Sequence, residues 1–420
     1  MIHWKRKKFR VLEKDQDPTD KIVDRILGEL RKEDHPETEA MEEAKRQKRQ
    51  KRKRWKKTGI IAGSILAVSI GIYLLINLQT YTSVRTVDTY PVSGAASNEY
   101  KQFADGVLKY SRDGISYLDQ KGSEVWNQPY QIQNPVVDVN ETSGAVADKG
   151  GNAILVFNEE GLRGEIETDL PIERISVSEQ GIVSVILIDE SSSQILCYDA
   201  AGNILVEHKT SVNGTGYPMD AALSPDGEIL QVLYLYTQDG TITSRVAYYN
   251  FGQEGESETD HQVTEQEYKD VVMADGFFMN QSVSAAVGDN MLTVFRGKSV
   301  PEEAVKVEID KEIKSVFHSQ KYIGMILKNE GKEGYELRLY NDRGQMAMSE
   351  DFSGDYSNVK ICGSQVIMYD GKNCSIFTRG GIQKFEGEMN SNILEIFPVA
   401  GVNKYIVMNE NGMEVVRLVK

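Results

Sequence analysis

The chain has 420 residues, with 63 Asp/Glu against 48 Lys/Arg and a net charge of −15. An acid excess of that size argues against nucleic-acid binding. Three cysteines, an odd number, exclude a disulfide-dense secreted scaffold. The charge is also divided. Residues 1–57 hold 20 Lys/Arg and 12 Asp/Glu, whereas residues 58–420 hold 28 and 51. A basic tail therefore precedes a large acidic region.

The tail, residues 1–57, opens a helix at Asp17-Pro18-Thr19-Asp20, where proline and acidic residues suit a first turn. Ile22, Val23, Ile26, Leu27 and Leu30 follow at helical spacing, with Lys21, Asp24, Arg25, Glu29 and Arg31 on the other side. This predicts an amphipathic helix over about 18–32. A single helix of that length cannot bury its own stripe. Ile22, Ile26, Leu27 and Leu30 are thus candidate docking residues for a cytoplasmic partner, the alternative being a marginal helix. From Glu33 to Arg54 the chain is almost wholly polar, either a solvated helix or disorder.

Ten Lys/Arg lie between Lys45 and Lys57, and they stop at Gly59–Leu78, GIIAGSILAVSIGIYLLINL, which carries no charge. Twenty helical residues span about 30 Å, the thickness of a bilayer's hydrocarbon core. The sequence therefore predicts one membrane span over 58–79. A cleaved signal peptide fits poorly, because 57 residues precede the segment and no small-residue cleavage site follows it. Lys51, Arg52, Lys53, Arg54, Lys56 and Lys57 flank the near side, whereas the first basic residue beyond is Arg85. The positive-inside rule then puts the tail in the cytoplasm and the carboxyl-terminal domain outside the plasma membrane. Abutting a span, the basic run reads as a topology signal that also attracts anionic lipid.

From residue 84 to 420 helical periodicity is absent and one unit repeats: a strand ending in an apolar residue, a polar turn with glycine, another strand. It appears at Tyr117-Leu118-Asp119-Gln120-Lys121-Gly122, Tyr198-Asp199-Ala200-Ala201-Gly202 and Tyr340-Asn341-Asp342-Arg343-Gly344. Related turns occur at Phe157, Tyr249, Phe295 and Phe377. Their first turn residues, 119, 158, 199, 250, 296, 341 and 378, are spaced by 39, 41, 51, 46, 45 and 37. Four strand-like pieces per unit of about 40–45 residues predict an all-β fold, a single β-propeller. A second set of turns, expected between the two inner strands of each unit, includes Ser111-Arg112-Asp113-Gly114, Glu179-Gln180-Gly181, Ser224-Pro225-Asp226-Gly227 and Ala274-Asp275-Gly276. The chain stops after Met413–Leu418, the third strand of an eighth unit. Val84–Tyr90 could supply the missing outermost strand and remove the exposed edge. Eight blades are expected, or seven if the irregular stretch 248–275 lacks a full outer strand.

The repeats resemble the broad superfamily of PQQ-type and WD40-like propellers. Tyr117–Trp126 is similar to one quinoprotein-type repeat, but the other blades lack its tryptophan, and recurring Trp-Asp or Gly-His pairs are missing. The whole layout resembles single-pass, membrane-anchored propeller proteins of Gram-positive bacteria, a resemblance that brings no activity with it.

No chemical constellation emerges. His208, His261 and His318 fall in no metal-ligand frame. Cys362 and Cys374 are expected on strands of one blade separated by a third strand, about 10 Å apart and beyond disulfide reach. Gly214-Thr215-Gly216 opens no helix, so it reads as a connection rather than a phosphate loop. The acid-rich stretch Gly252–Asp270 lacks calcium-loop spacing and reads as a solvated loop. No catalytic, cofactor or metal residue is assigned. The expected role is a non-enzymatic binding or scaffold module for an extracytoplasmic protein, peptide or cell-wall polymer. Alternatives are a quinoprotein-like or glycan-acting enzyme, which acids with a metal or quinone in the central channel would favour, and a transmembrane signalling regulator.

Overall fold

The computed structural model describes residues 18–33, 35–189, 192–210 and 215–420. The chain divides into two compact units, 1–77 and 78–420. The first unit contains helices Pro18–Glu33 and His35–Leu78. Residues 35–54, the described part of the polar stretch before the apolar segment, are thus helical. Ile22, Ile26 and Leu27 are 60%, 52% and 54% exposed. Among the described residues no helix is long and apolar enough to cross a membrane. The side chains of residues 72–77, part of the expected span, lie outside those residues.

The second unit is built from eight four-stranded antiparallel sheets, each a meander. Blades 1 to 7 occupy residues 99–129, 135–167, 172–210, 217–269, 273–308, 313–352 and 358–388. Blade 8 takes its three inner strands from 395–419 and its outermost strand from Ser83–Pro91. That strand runs antiparallel to Gly412–Val419, with Ser83 opposite Val419 and Pro91 opposite Gly412. The expected eight blades and swapped strand are therefore both present. Tyr81 extends the closure. Its N–H donates to the Lys384 carbonyl at 2.8 Å, and its ring is buried in the seam between blades 7 and 8.

The repeat has a local cause. In the outer turn of blade 1, Asp119 Oδ1 accepts from the backbone N–H groups of Lys121 and Ser123, each at 2.8 Å. Asp199 does the same for Ala201 and Asn203, and Asn341 for Arg343 and Gln345. A side chain that substitutes for backbone in this way needs a left-handed residue to finish the turn. Gly122, Gly202 and Gly344 supply it, at φ of 71°, 84° and 68°. The residue before the turn sits at a shift in strand register, as at Tyr117/Leu118, Cys197/Tyr198 and Leu339/Tyr340. Such a bulge adds twist to the outer strand.

Each pair of neighbouring blades encloses its own apolar cluster. Phe103, Ile115 and Phe157 join blades 1 and 2, Leu233, Tyr248 and Phe295 join blades 4 and 5, and Val107, Phe397 and Met413 join blades 8 and 1. The core is thus a circuit of seams, each depending on both blades it joins. Gly164, on the outermost strand of blade 2, marks how closely blades approach: a Cβ there would lie 1.7 Å from the Ala200 carbonyl oxygen. Backbone must move to relieve that contact. Gly164→Ala is expected to cost about 3 kcal/mol, seen as a lower urea midpoint with unchanged slope. An unchanged midpoint would refute the close approach.

Three expectations are corrected. Ser111–Gly114 joins the second and third strands of blade 1, not the inner two, because the inner turn is the tighter one at 104–105. Ala274–Gly276 is no turn. It lies inside the innermost strand of blade 5, Met273–Asn280, where Asp275 and Gly276 pair regularly with Val287 and Ala286 beyond a bulge that follows Met273. The stretch Gly252–Asp270 is only half loop. Two short 3-10 turns precede Gln262–Lys269, the outermost strand of blade 4, whose pairing with Thr243–Tyr249 offsets its polar composition.

Candidate functional site

In a four-stranded meander the turns after the first and third strands fall on one face of the ring. On that face the central channel opens into a cavity of about 1100 Å³. The innermost strands of blades 1 to 6 provide its wall. Asp105, Glu141, Glu159 and Glu179, all in turns of blades 1 to 3, line one side of the rim. Gln320, from blade 6, donates through Nε2 to Glu141 Oε1 of blade 2 at 2.7 Å. These blades stand opposite one another in the ring, so this bond spans the mouth.

Inside, each innermost strand reaches toward the next. Lys101 Nζ donates to the Val137 carbonyl at 2.7 Å. Val177 N–H donates to Asp138 Oδ2 at 2.8 Å. Arg174 Nη1 lies 3.4 Å from Asp220 Oδ1, and Asp220 Oδ2 accepts from Gly276 N–H at 2.9 Å. On the far side of the ring Lys360 pairs with Glu395. A polar wall between apolar seams requires such mutual satisfaction, because an unpaired buried charge is costly.

One carboxylate escapes this scheme. Among the described residues no group donates a hydrogen bond to Asp275. Burial first, then the negative charge of Asp220, pushes its carboxyl up to about 6, although Arg174 opposes the rise. Burial also raises Asp138, against the pull of Lys101, and Asp220, against Gly276 N–H and Arg174. His318 closes the wall from blade 6. Its ring lies flat on Phe277, with centroids 3.9 Å apart and planes 3° apart. Enclosure in the channel, and the charge of Lys101, push it down to about 4. The imidazole is therefore neutral at pH 7 even though solvent reaches it. Among the described residues, seven Asp and Glu line the mouth against Arg174, with Lys101 beside it, so acids predominate there.

Of the residues named from sequence, His318, Glu179, Pro225, Asp275 and Gly276 line this cavity, though none was read as a site there; the tail residues, the cysteines and Trp126 lie elsewhere. Lys51, Lys56 and Lys57 are exposed on helix His35–Leu78. The side chains of Arg52, Lys53, Arg54 and Leu30, and all of Gly214, are outside the described residues. Cys197 and Cys374 are buried thiols pushed up to about 12, and Cys362 up to about 11, by burial. Cys362 and Cys374 stand on first and third strands of blade 7. Trp126 is an inter-blade staple: its Nε1 donates to the Glu159 carbonyl at 3.1 Å, with its ring against Phe157. Ser224–Gly227 is a turn stabilised by Ser224 Oγ donating to Asp226 Oδ1 at 2.7 Å. The channel acids were missed. Their signal is one acid in an otherwise apolar stretch of innermost strand, as in Val136-Val137-Asp138-Val139 and Met219-Asp220-Ala221-Ala222.

The family model described as "Family of unknown function (DUF5711)" matches residues 77–418. No curated protein matches. Among solved structures, BamB from Moraxella catarrhalis is 14% identical, covering 80% of this chain and 99% of its own, at a TM-score of 0.46. Sqt1 of Chaetomium thermophilum, bound to the N-terminus of ribosomal protein L10, is 10% identical, covering 82% and 98%, at 0.48. The WD40 domain of Neurospora crassa Pan2 is 8% identical, covering 68% and 90%, at 0.41.

Proposed function

The chain belongs to the DUF5711 family, and on that premise we propose that it is a membrane-anchored, extracytoplasmic β-propeller that binds a protein or peptide at the acid-lined mouth of its ring and performs no chemistry on it. One observation carries the reading: a cavity of about 1100 Å³ on one face, rimmed by turns from several blades. Turns held on a rigid scaffold are where binding residues concentrate, and a propeller offers many of them to a shared opening. An electronegative mouth also speeds encounter with cationic partners.

The anchoring half of the proposal rests on sequence. Gly59–Leu78 is free of charge, and Lys51 to Lys57 flank one side only. In this reading the helix tethers the ring and sets its side of the plasma membrane. Ile22, Ile26 and Leu27, exposed on the tail helix, are then available to a cytoplasmic partner.

The test is crosslinking in native membranes, followed by capture through a carboxyl-terminal tag. The wild-type chain is compared with a rim variant carrying Asp105→Asn, Glu141→Gln, Glu159→Gln and Glu179→Gln. The expected result is a partner whose recovery falls at least fivefold with the variant. Undiminished recovery, or no partner from either chain, would sink the proposal.

A further inference from the structure

Asp275 and Phe277 lie two residues apart on a regular part of one strand, so their side chains leave it on the same side. Phe277 is covered by the parallel ring of His318. The cavity therefore holds, close together in the fold, a carboxylate without a donor and a two-layer flat aromatic surface. The ring nitrogens of His318 have no hydrogen-bond partner among the described residues. The next blade pair shows how this wall treats a planar cation: the chain's own Arg174 stands against Asp220.

We infer that the channel mouth takes the guanidinium of an arginine side chain from a peptide or protein, with Asp275 as its counter-charge and the His318–Phe277 stack as the surface on which its plane lies. The inference rests on the mouth being the binding face and names the chemistry of what enters it. Three features select guanidinium. It is planar and weakly hydrated, so it gains from stacking, whereas a lysine ammonium is a compact and strongly hydrated charge. It offers several donors in a fork, which suits a carboxylate that accepts nothing from the described residues. A divalent metal is disfavoured, because no three His, Cys, Asp or Glu side chains are grouped to hold one among the described residues.

Electrostatics agree on the direction. The channel and the charge of Lys101 push His318 down, so at neutral pH it presents a π face without repelling a cation. Burial, then Asp220, pushes Asp275 up to about 6, with Arg174 opposing the rise. A bound guanidinium stabilises its ionised form. Binding therefore weakens as pH falls through 6, by roughly tenfold between pH 7.5 and 5.

The experiment is calorimetric titration of the full chain in nanodiscs with acetyl-Gly-Arg-Gly-amide and its lysine and alanine counterparts. Saturable 1:1 binding is expected for the arginine probe, at least fivefold weaker for lysine and absent for alanine. Asp275→Asn is expected to lose at least tenfold, His318→Ala about threefold, with melting curves confirming folded variants. The pH dependence of the wild-type chain gives an arm that needs no substitution. No arginine binding, affinity unchanged by Asp275→Asn, or equal affinity for lysine would overturn the inference. If the probe is silent while rim-dependent capture persists, this inference falls and the binding-face reading stands. If the probe binds while capture ignores the rim, the reverse holds for the cellular partner.

Discussion

Deleting residues 83–91 from the full chain is expected to abolish cooperative unfolding of the ring. The strand Ser83–Pro91 is the outermost strand of blade 8, although it lies more than 320 residues from its partner, Gly412–Val419, in the chain. Its loss leaves the backbone groups of Gly412–Val419 unpaired along one edge, which invites pairing with other chains. It also releases Val84 and Tyr90 from the seams they pack against and removes the support that holds Tyr81. Three such side chains account for on the order of 5 kcal/mol, a large part of an ordinary domain's stability. Urea unfolding followed by tyrosine fluorescence would show a broad transition at lower urea, or aggregation. A synthetic peptide of residues 79–92, added in excess, should restore the midpoint. A deletion variant that unfolds with the wild-type midpoint and slope would show that the ring does not depend on this strand.

Replacing Asp275 with asparagine is expected to stabilise the protein at neutral pH. The sign follows from linkage. The folded carboxyl titrates at about 6, above its ordinary value of 3.8, so the unfolded chain gives up the proton first as pH rises. Stability is therefore full below about 3.8 and is lost as pH rises through 6. A rise of that size corresponds to about 3 kcal/mol. Because water reaches the channel, a gain of about 1–3 kcal/mol is the reasonable expectation for Asp275→Asn at pH 7.5. The gain should vanish near pH 4. Most substitutions destabilise, so the direction is discriminating. A lower urea midpoint for the variant at pH 7.5 would mean that Asp275 is paired in the native ring. A stabilising loss at this position is what a site kept for a ligand would show.

The architecture was legible where local chemistry dictates geometry. Asp119, Asp199 and Asn341 each build a turn from their own side chain and a glycine three residues on, so their recurrence exposes the period. The closing strand was legible by subtraction, because Met413–Leu418 needs a neighbour. Reading failed where tertiary structure decides. Ala274-Asp275-Gly276 carries turn residues, yet pairing with Val287 and Ala286 keeps it extended. Gln262–Lys269 has the composition of a loop, and only its ladder with the preceding strand makes it part of a sheet. The channel site was out of reach for the same reason. Asp275 becomes unusual through Asp220, 55 positions earlier, and His318 through the face of Phe277, 41 positions earlier. Only closure of the ring brings them together.

The proposed role depends on the acidic ring standing outside the membrane and the basic tail inside. Cysteine labelling in intact cells tests this directly. In a Cys362→Ser background, where Cys197 and Cys374 are buried, a single cysteine replaces either Lys121, in an exposed turn of blade 1, or Lys48, on helix His35–Leu78. A membrane-impermeant maleimide is expected to label Lys121→Cys in intact cells and Lys48→Cys only after permeabilisation. Labelling of the tail position alone, or of the ring position only after lysis, would contradict the account.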